Sequence, residues 1–333
     1  MGLPDESPLK VVTFFTEGPP HDNCLPLTET VAELRSCLAE SGVQLVAYSP
    51  RTLLEDEYYR NHCQAQFGKS KLEEPGMELL PYAAKLGYYA WKPLVICKVL
   101  SQLQPGDMLL FMDANLKKYK DYKHGLGDLR STCTHLLQRA DIFVPLEDAV
   151  WKRIRNHCKA LTLDLMEANT FDIAYAPCVC VNRILLRKSA LTDAIMAEWL
   201  QWCANKMVIS PVPNPYTHPL CMFHTPEQAI LAVLLRKRVL AGELPQGWPF
   251  YSYAYGHRIF HLGSLEDWPI SLWASLGSRL RAIFFFLRHA AFSYIYPVTD
   301  SFWSQFPRAT GGYLLKFAWR GFLMCMIPLP ENC

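Results

Sequence analysis

No run of 18 or more uncharged apolar residues occurs anywhere in the 333-residue chain, so the sequence predicts no transmembrane helix. Charge of neither sign dominates, because 33 Lys and Arg stand against 31 Asp and Glu. Without a broad basic field, nucleic acid is excluded as a partner. The opening MGLPDESPLK is polar and carries two acids, which is not a signal-peptide pattern. Gly2 follows Met1, but Glu6 occupies the position where myristoylation needs Ser or Thr. There is no internal repeat and no low-complexity segment. Cysteine is plentiful, at 12 residues, yet no two are spaced as CxxC, which argues against zinc. Cys97 and Cys203 fall in helical patterns where any small apolar residue would serve. The expectation is a reduced, cytoplasmic protein that uses cysteine as filler.

Half of the residues are hydrophobic, enough to bury a large core. Lys10–Thr16 reads as a strand, Thr28–Ser41 as a helix with Val31, Leu34, Cys37 and Leu38 on one face, and 43–48 as a second strand, with Gly42 supplying the stop between them. This strand–helix–strand opening predicts an α/β fold on a mostly parallel sheet. Residues 51–80 are polar and uneven, a helix and an exposed loop. Further along, helices are expected over 126–139, 148–170 and 188–204, and strands over 142–145 and 173–182. A loop holding four prolines is expected over 209–221. Thr225-Pro226-Glu227-Gln228 has the composition of a helix start, with Thr at the cap, Pro first and an acid in the first turn.

The richest segment is Gly87–Leu116. Gly87-Tyr88-Tyr89-Ala90-Trp91-Lys92-Pro93 leads into an apolar helix over 92–104, then a Pro-Gly-Asp stop, then Met108–Met112. That last run has no alternation, the signature of a strand covered on both faces. It ends abruptly in Asp113-Ala114-Asn115. In open α/β sheets ligands bind beyond the carboxyl ends of strands, so Asp113 stands where chemistry is expected. An isolated Asp after a strand more often only caps a turn; here the surrounding pattern favours the functional reading.

Taken in order, these segments resemble a family of GT-A-fold nucleotide-sugar glycosyltransferases. The likeness rests on Gly87–Pro93, on Phe111-Met112-Asp113-Ala114-Asn115, on Asn182-Arg183, on Glu198-Trp199-Leu200 and on His224-Thr225-Pro226-Glu227-Gln228, and it spans roughly residues 10–265. The resemblance implies a GT-A-like (Rossmann-like) catalytic domain over 1–268 and a sugar donor activated by a nucleotide diphosphate. It also implies a divalent cation, Mn²⁺ or Mg²⁺, held by Asp113 and Asn115 with a late histidine, His261 (or His257), completing the sphere. Hard oxygen ligands suit such ions; Asn115, where the family pattern has an acid, is a weaker one. Lys92 and Asn182 would help bind the donor, with Asp172 and Asn182 lining the acceptor side. Glu227 and Gln228 would line the sugar pocket and resemble an acidic-Gln motif of retaining enzymes; the residues themselves leave inversion open. As alternatives, His261 is a core histidine, Trp91 and Tyr88 or Tyr89 are packing residues, and Glu227 caps its own helix.

Residues 269–333 read as a helical, aromatic-rich extension. Within it, 271–296 mixes Trp, Phe and Tyr with Arg279, Arg281 and Arg288, which suits either packing on the catalytic domain or peripheral contact with a membrane. The expected partners are a nucleotide-sugar donor and a glycan or lipid acceptor. Two rivals remain: a nucleotide-sugar-binding scaffold that has lost its chemistry, and a nucleotidyltransferase. Against the second, Glu17-Gly18-Pro19-Pro20-His21 offers one glycine and no Lys or Arg after the first strand.

Overall fold

The computed structural model describes residues 8–15, 27–64, 87–114, 129–145, 153–210 and 225–245. Within them five strands form one mixed sheet in the order β2-β1-β3-β5-β4: β1 Leu9–Phe14, β2 Gln44–Tyr48, β3 Met108–Met112, β4 Ile142–Phe143 and β5 Arg183–Arg187. β1 pairs in parallel with β2 on one side and β3 on the other, whereas β5 runs antiparallel to both β3 and β4. The protein is therefore an α/β fold, with a sheet more mixed than the expected mostly parallel one.

Side chains on a strand alternate between faces, and the core divides accordingly. Leu9, Val11, Met108, Leu110 and Met112 join Leu34 and Leu38 of helix α1 (Thr28–Glu40) and Leu129 and Cys133 of α4 (Leu129–Leu136) on one face. Val12, Phe14, Leu109 and Phe111 face the other way, toward α3 (Trp91–Leu100), α8 (Ala190–Cys203) and α10 (Pro226–Leu240). All five residues of β3 are buried, as its unbroken apolar run requires. The stop after α1 is a Schellman motif: Gly42, at φ 65°, donates to Ala39 O at 3.0 Å and Val43 donates to Leu38 O at 2.9 Å.

Two expectations are corrected. The single helix over 148–170 is interrupted: α5 (Ile154–His157) and α6 (Ala160–Leu165) are separated by Cys158 and Lys159 in extended conformation. The break turns the Lys159 ammonium inward, where it donates to Ser210 O at 2.6 Å, and it leaves His157 O to accept from Thr225 N at 2.9 Å. The strand expected over 173–182 is instead a helical turn, α7 (Phe171–Ala174), followed by irregular chain, and β5 begins only at Arg183. An apolar run without alternation does not distinguish the two outcomes, and Pro177 lacks the N–H a ladder needs.

Among shorter elements, α2 (Pro50–Glu55) is followed by a π-helical turn over Tyr59–Gln64, and α9 (Lys206–Ile209) follows α8. No helix among the described residues is long and apolar enough to cross a membrane. The extension 269–333, the segment 271–296, and Asn115, His257 and His261 lie outside the described residues, as does most of the proline-rich loop.

Candidate functional site

The strand order reverses between β1 and β3, and an open α/β sheet binds its ligands in the crevice beyond the carboxyl ends at such a point. There the buried hydroxyl of Thr13 donates to Met112 O at 2.6 Å, tying the ends of the two strands together. One residue further, Asp113 continues the alternation of Leu109 and Phe111 and so emerges on the α3 face. Its backbone N–H donates to Asn182 O at 2.9 Å. Because β5 is antiparallel to β3, the start of β5 lies beside the end of β3. Asn182 thus reaches the site from a strand's beginning, not from the strand end expected of it.

Lys92 is the centre of the constellation. It sits in the first turn of α3 with its side chain only 5% exposed, and its Nζ lies 3.5 Å from Asp113 Oδ1 and 3.6 Å from Glu227 Oε1. The same ammonium donates to Val181 O at 3.2 Å. One hydrogen bond and two ion pairs thus bring oxygens from three separate segments around the ammonium. Three rings surround the charge, with centroids 5.4 Å (Phe111), 5.7 Å (Tyr89) and 5.7 Å (Trp91) from Nζ. Trp91 is itself fixed by stacking on Phe14 at 3.9 Å. Burial pulls the Lys92 pKa down, but the carboxylates of Asp113 and Glu227 outweigh it and the group ends above its ordinary value. It is a permanent cation, already committed to protein oxygens.

Glu227 is the buried acid. It occupies the first turn of α10, where the helix N-terminus favours negative charge, and its side chain is 9% exposed. Burial raises its pKa; Lys92 and hydrogen bonds from the backbone amides of Glu227 and Gln228 pull the other way without cancelling the rise. One ammonium shared between two carboxylates cannot fully balance both, and the deeper carboxylate carries the deficit. Thr225, expected to cap α10, does not do so with its side chain; its N–H and hydroxyl both point to His157 O, at 2.9 and 3.4 Å. The Glu227 carboxylate takes over that role, so capping and site chemistry fall on one residue.

Of the other expected site residues, Gln228 is half-buried and its amide contacts Cys178 Sγ at 3.7 Å, on the irregular chain that also supplies Val181. Asp172 is not brought in. It is exposed on α7, and its carbonyl accepts from Arg236 Nε at 2.9 Å. Arg236 lies nine residues beyond Glu227 on α10, roughly 13 Å along the helix axis. The residues sequence reasoning missed are Val181, whose contribution is a backbone carbonyl, and Trp199, whose indole N–H donates to Glu227 O at 2.9 Å. A carbonyl carries no sequence signal; Trp199 did stand within the Glu-Trp-Leu motif.

No group of three or more His, Cys, Asp or Glu side chains suited to a metal occurs among the described residues. Asp113 offers a hard oxygen donor with room for a ligand, its side chain being 37% exposed. It fits as one metal ligand, and the other two expected, Asn115 and His261, are not among the described residues. No protein-family model matches the chain, and no curated protein matches its sequence.

Proposed function

We propose that the protein is a glycosyltransferase that moves a sugar from a nucleotide-diphosphate donor to a hydroxyl on a glycan or lipid acceptor. The observation that carries this reading is the Lys92–Asp113–Glu227 cluster, assembled at the carboxyl end of β3 from motifs far apart in the chain. On this reading residues 1–268 form a GT-A-like domain, and 269–333 a helical extension whose segment 271–296 contacts a membrane when the acceptor is a lipid. On the same reading the enzyme is cytoplasmic.

In the transfer, the bond from the sugar's anomeric carbon to the diphosphate breaks and its electron pair stays on the departing nucleotide. The acceptor oxygen takes the carbon and gives up its proton. Asp113, with Asn115 and His261, would hold Mn²⁺ or Mg²⁺, which would supply positive charge against the diphosphate leaving group. Lys92 keeps the two carboxylates at a fixed separation and turns one outward. Glu227 and Gln228 face the sugar from a helix N-terminus, whose partial positive charge favours the anionic leaving group. A buried acid with a raised pKa is suited to hold or move the acceptor's proton, and the acidic-Gln pair favours retention.

One observation favours a second reading, a nucleotide-sugar-binding scaffold without turnover. Lys92 already neutralises the Asp113 oxygen that a divalent ion would share. A panel of UDP-, GDP- and dTDP-sugars incubated with Mn²⁺ or EDTA separates the two. Nucleotide diphosphate released from one donor, and lost with EDTA and in Asp113→Ala, is the expected result. A nucleotide-induced thermal shift with no release, even with acceptors supplied, selects the scaffold. Neither release nor shift overturns both.

A further inference from the structure

We propose that Thr13 is a positioning residue for Asp113, a latch whose hydroxyl sets where the carboxylate stands during transfer; the inference rests on the glycosyltransferase reading. The pairing of the strands shows what the latch spans. β1 keeps its partner β2 to the end: Phe14 stands opposite Tyr48, and the next residue, Phe15, donates its N–H to Tyr48 O at 3.0 Å. Its ladder with β3 stops earlier, at Val12 opposite Phe111. β3 itself stays on β5 through Met112, opposite Arg183. The sheet therefore divides at its carboxyl edge between β1 and β3, and such a division is where an open α/β sheet takes its ligand. Past the last ladder pair, the Thr13 hydroxyl crosses the gap and donates to Met112 O at 2.6 Å.

Thr13 is the buried polar residue of a strand whose other buried residues are apolar. Valine would fill the same space with no hydroxyl to desolvate, and a buried hydroxyl is tolerated only when it is hydrogen-bonded. Its acceptor says what the bond is for. Met112 O belongs to the peptide that joins Met112 to Asp113, and the N–H of that same peptide donates to Asn182 O at 2.9 Å. One planar unit is thus held from both sides, by a side chain of β1 and by the backbone just before β5. That fixes the direction in which the chain enters Asp113. The carboxylate depends on it, because a side chain 37% exposed is held by packing only in part. Lys92, 3.5 Å away, attracts the carboxylate as a point charge and does not dictate its orientation. At a reacting centre a misplacement of about 1 Å costs on the order of a hundredfold in rate.

The test uses full-length protein and compares Thr13→Val, which keeps the shape and removes the donor, with Thr13→Ser, which keeps the donor. Amide hydrogen exchange followed by NMR needs neither substrate nor metal. It sets the Asp113 N–H, on the β3 side of the gap, against the Phe15 N–H, on the β2 side. In Thr13→Val the Asp113 amide should exchange roughly tenfold faster while Phe15 is unchanged, and kcat for nucleotide release with Mn²⁺ should fall about tenfold or more. Thr13→Ser should stay near wild type in both readouts. Thr13→Cys, with a weaker donor, should fall between them, and it carries the comparison if Thr13→Val does not fold. Equal acceleration at Asp113 and Phe15 would be a general loss of stability and would overturn the inference. So would Thr13→Ser as impaired as Thr13→Val, or wild-type turnover in Thr13→Val, each while leaving the transferase reading intact. A wild-type protein that neither binds nor hydrolyses any donor overturns the transferase reading, and this inference with it.

Discussion

The indole N–H of Trp199 donates to the backbone carbonyl of Glu227 at 2.9 Å, so α10, which carries the buried acid, is fixed by α8. Trp199 is fully buried, and Arg238 strengthens the same helix pair by bridging to Glu198 at 2.6 Å. Trp199→Phe keeps most of the volume but deletes the hydrogen bond and leaves a small cavity, together costing about 2 kcal/mol. The urea midpoint should fall accordingly. Donor turnover should fall further than stability, because the first turn of α10 loses its tether. Turnover at the wild-type level in a destabilised variant would show that the tether has no bearing on the site.

Lys92 balances one buried carboxylate, Glu227, and one partly exposed one, Asp113. Lys92→Met keeps the side chain's length and leaves Glu227 facing Asp113 without a cation. Breaking a buried ion pair from one side costs about 3–5 kcal/mol, to be read from chemical unfolding. Adding Glu227→Gln to Lys92→Met should recover part of the loss, and the double-mutant cycle isolates the coupling. A cost under about 1 kcal/mol for Lys92→Met would mean that the ammonium is solvated and the cluster is not a buried one.

Much of the site was legible because its parts are side chains in short, dense motifs. Met108–Met112 was delimited correctly because an unbroken apolar run with a Pro-Gly-Asp start and an abrupt Asp end has few other readings. Lys92, Asp113 and Glu227 each stood in a motif, but nothing local says that they meet; their contact depends on how α3, β3 and α10 pack. The run Ile173–Asn182 misled because it is as apolar as a strand yet is held by single bonds, such as Cys180 N to Pro145 O at 2.7 Å. Asp172 stands just before that run. The helical turn that begins at Phe171 sets the backbone carbonyl of Asp172 against Arg236, far along α10 from Glu227. The break at Lys159 was hidden because its cause, a carbonyl at Ser210, lies in another element.

Thiol chemistry gives an independent check on the core. Burial pushes the thiols of Cys63, Cys97 and Cys133 up to about 12. Thiolate is the reactive form, so iodoacetamide at pH 8 should leave these three unmodified in the native protein and alkylate them once urea unfolds it. Cys37, half-buried on α1, should react before them. Peptide mapping by mass spectrometry reads each site separately. Rapid native labelling of Cys133 would mean that the α1–α4 face of the sheet is not closed.

Stability against pH tests the balance at Glu227. Burial raises its pKa above the ordinary 4.5, and Lys92 opposes without cancelling. A carboxyl whose folded pKa is raised is more comfortable protonated in the fold than in the unfolded chain. Its contribution is fully present below the ordinary value and is lost as pH climbs through the raised one. Lys92 stays charged across this range because its own pKa lies above 10.5. Wild type should therefore lose stability relative to Glu227→Gln as pH rises from about 4.5, by at most about 1.4 kcal/mol per pH unit, until the raised value is passed. Above it the difference should be constant to the alkaline end. Urea unfolding of both proteins between about pH 4 and 9 measures the difference directly. If wild type instead gained on the variant over this interval, the field of Lys92 would outweigh burial, and Glu227 would be an ordinary ionised partner with no proton to hold.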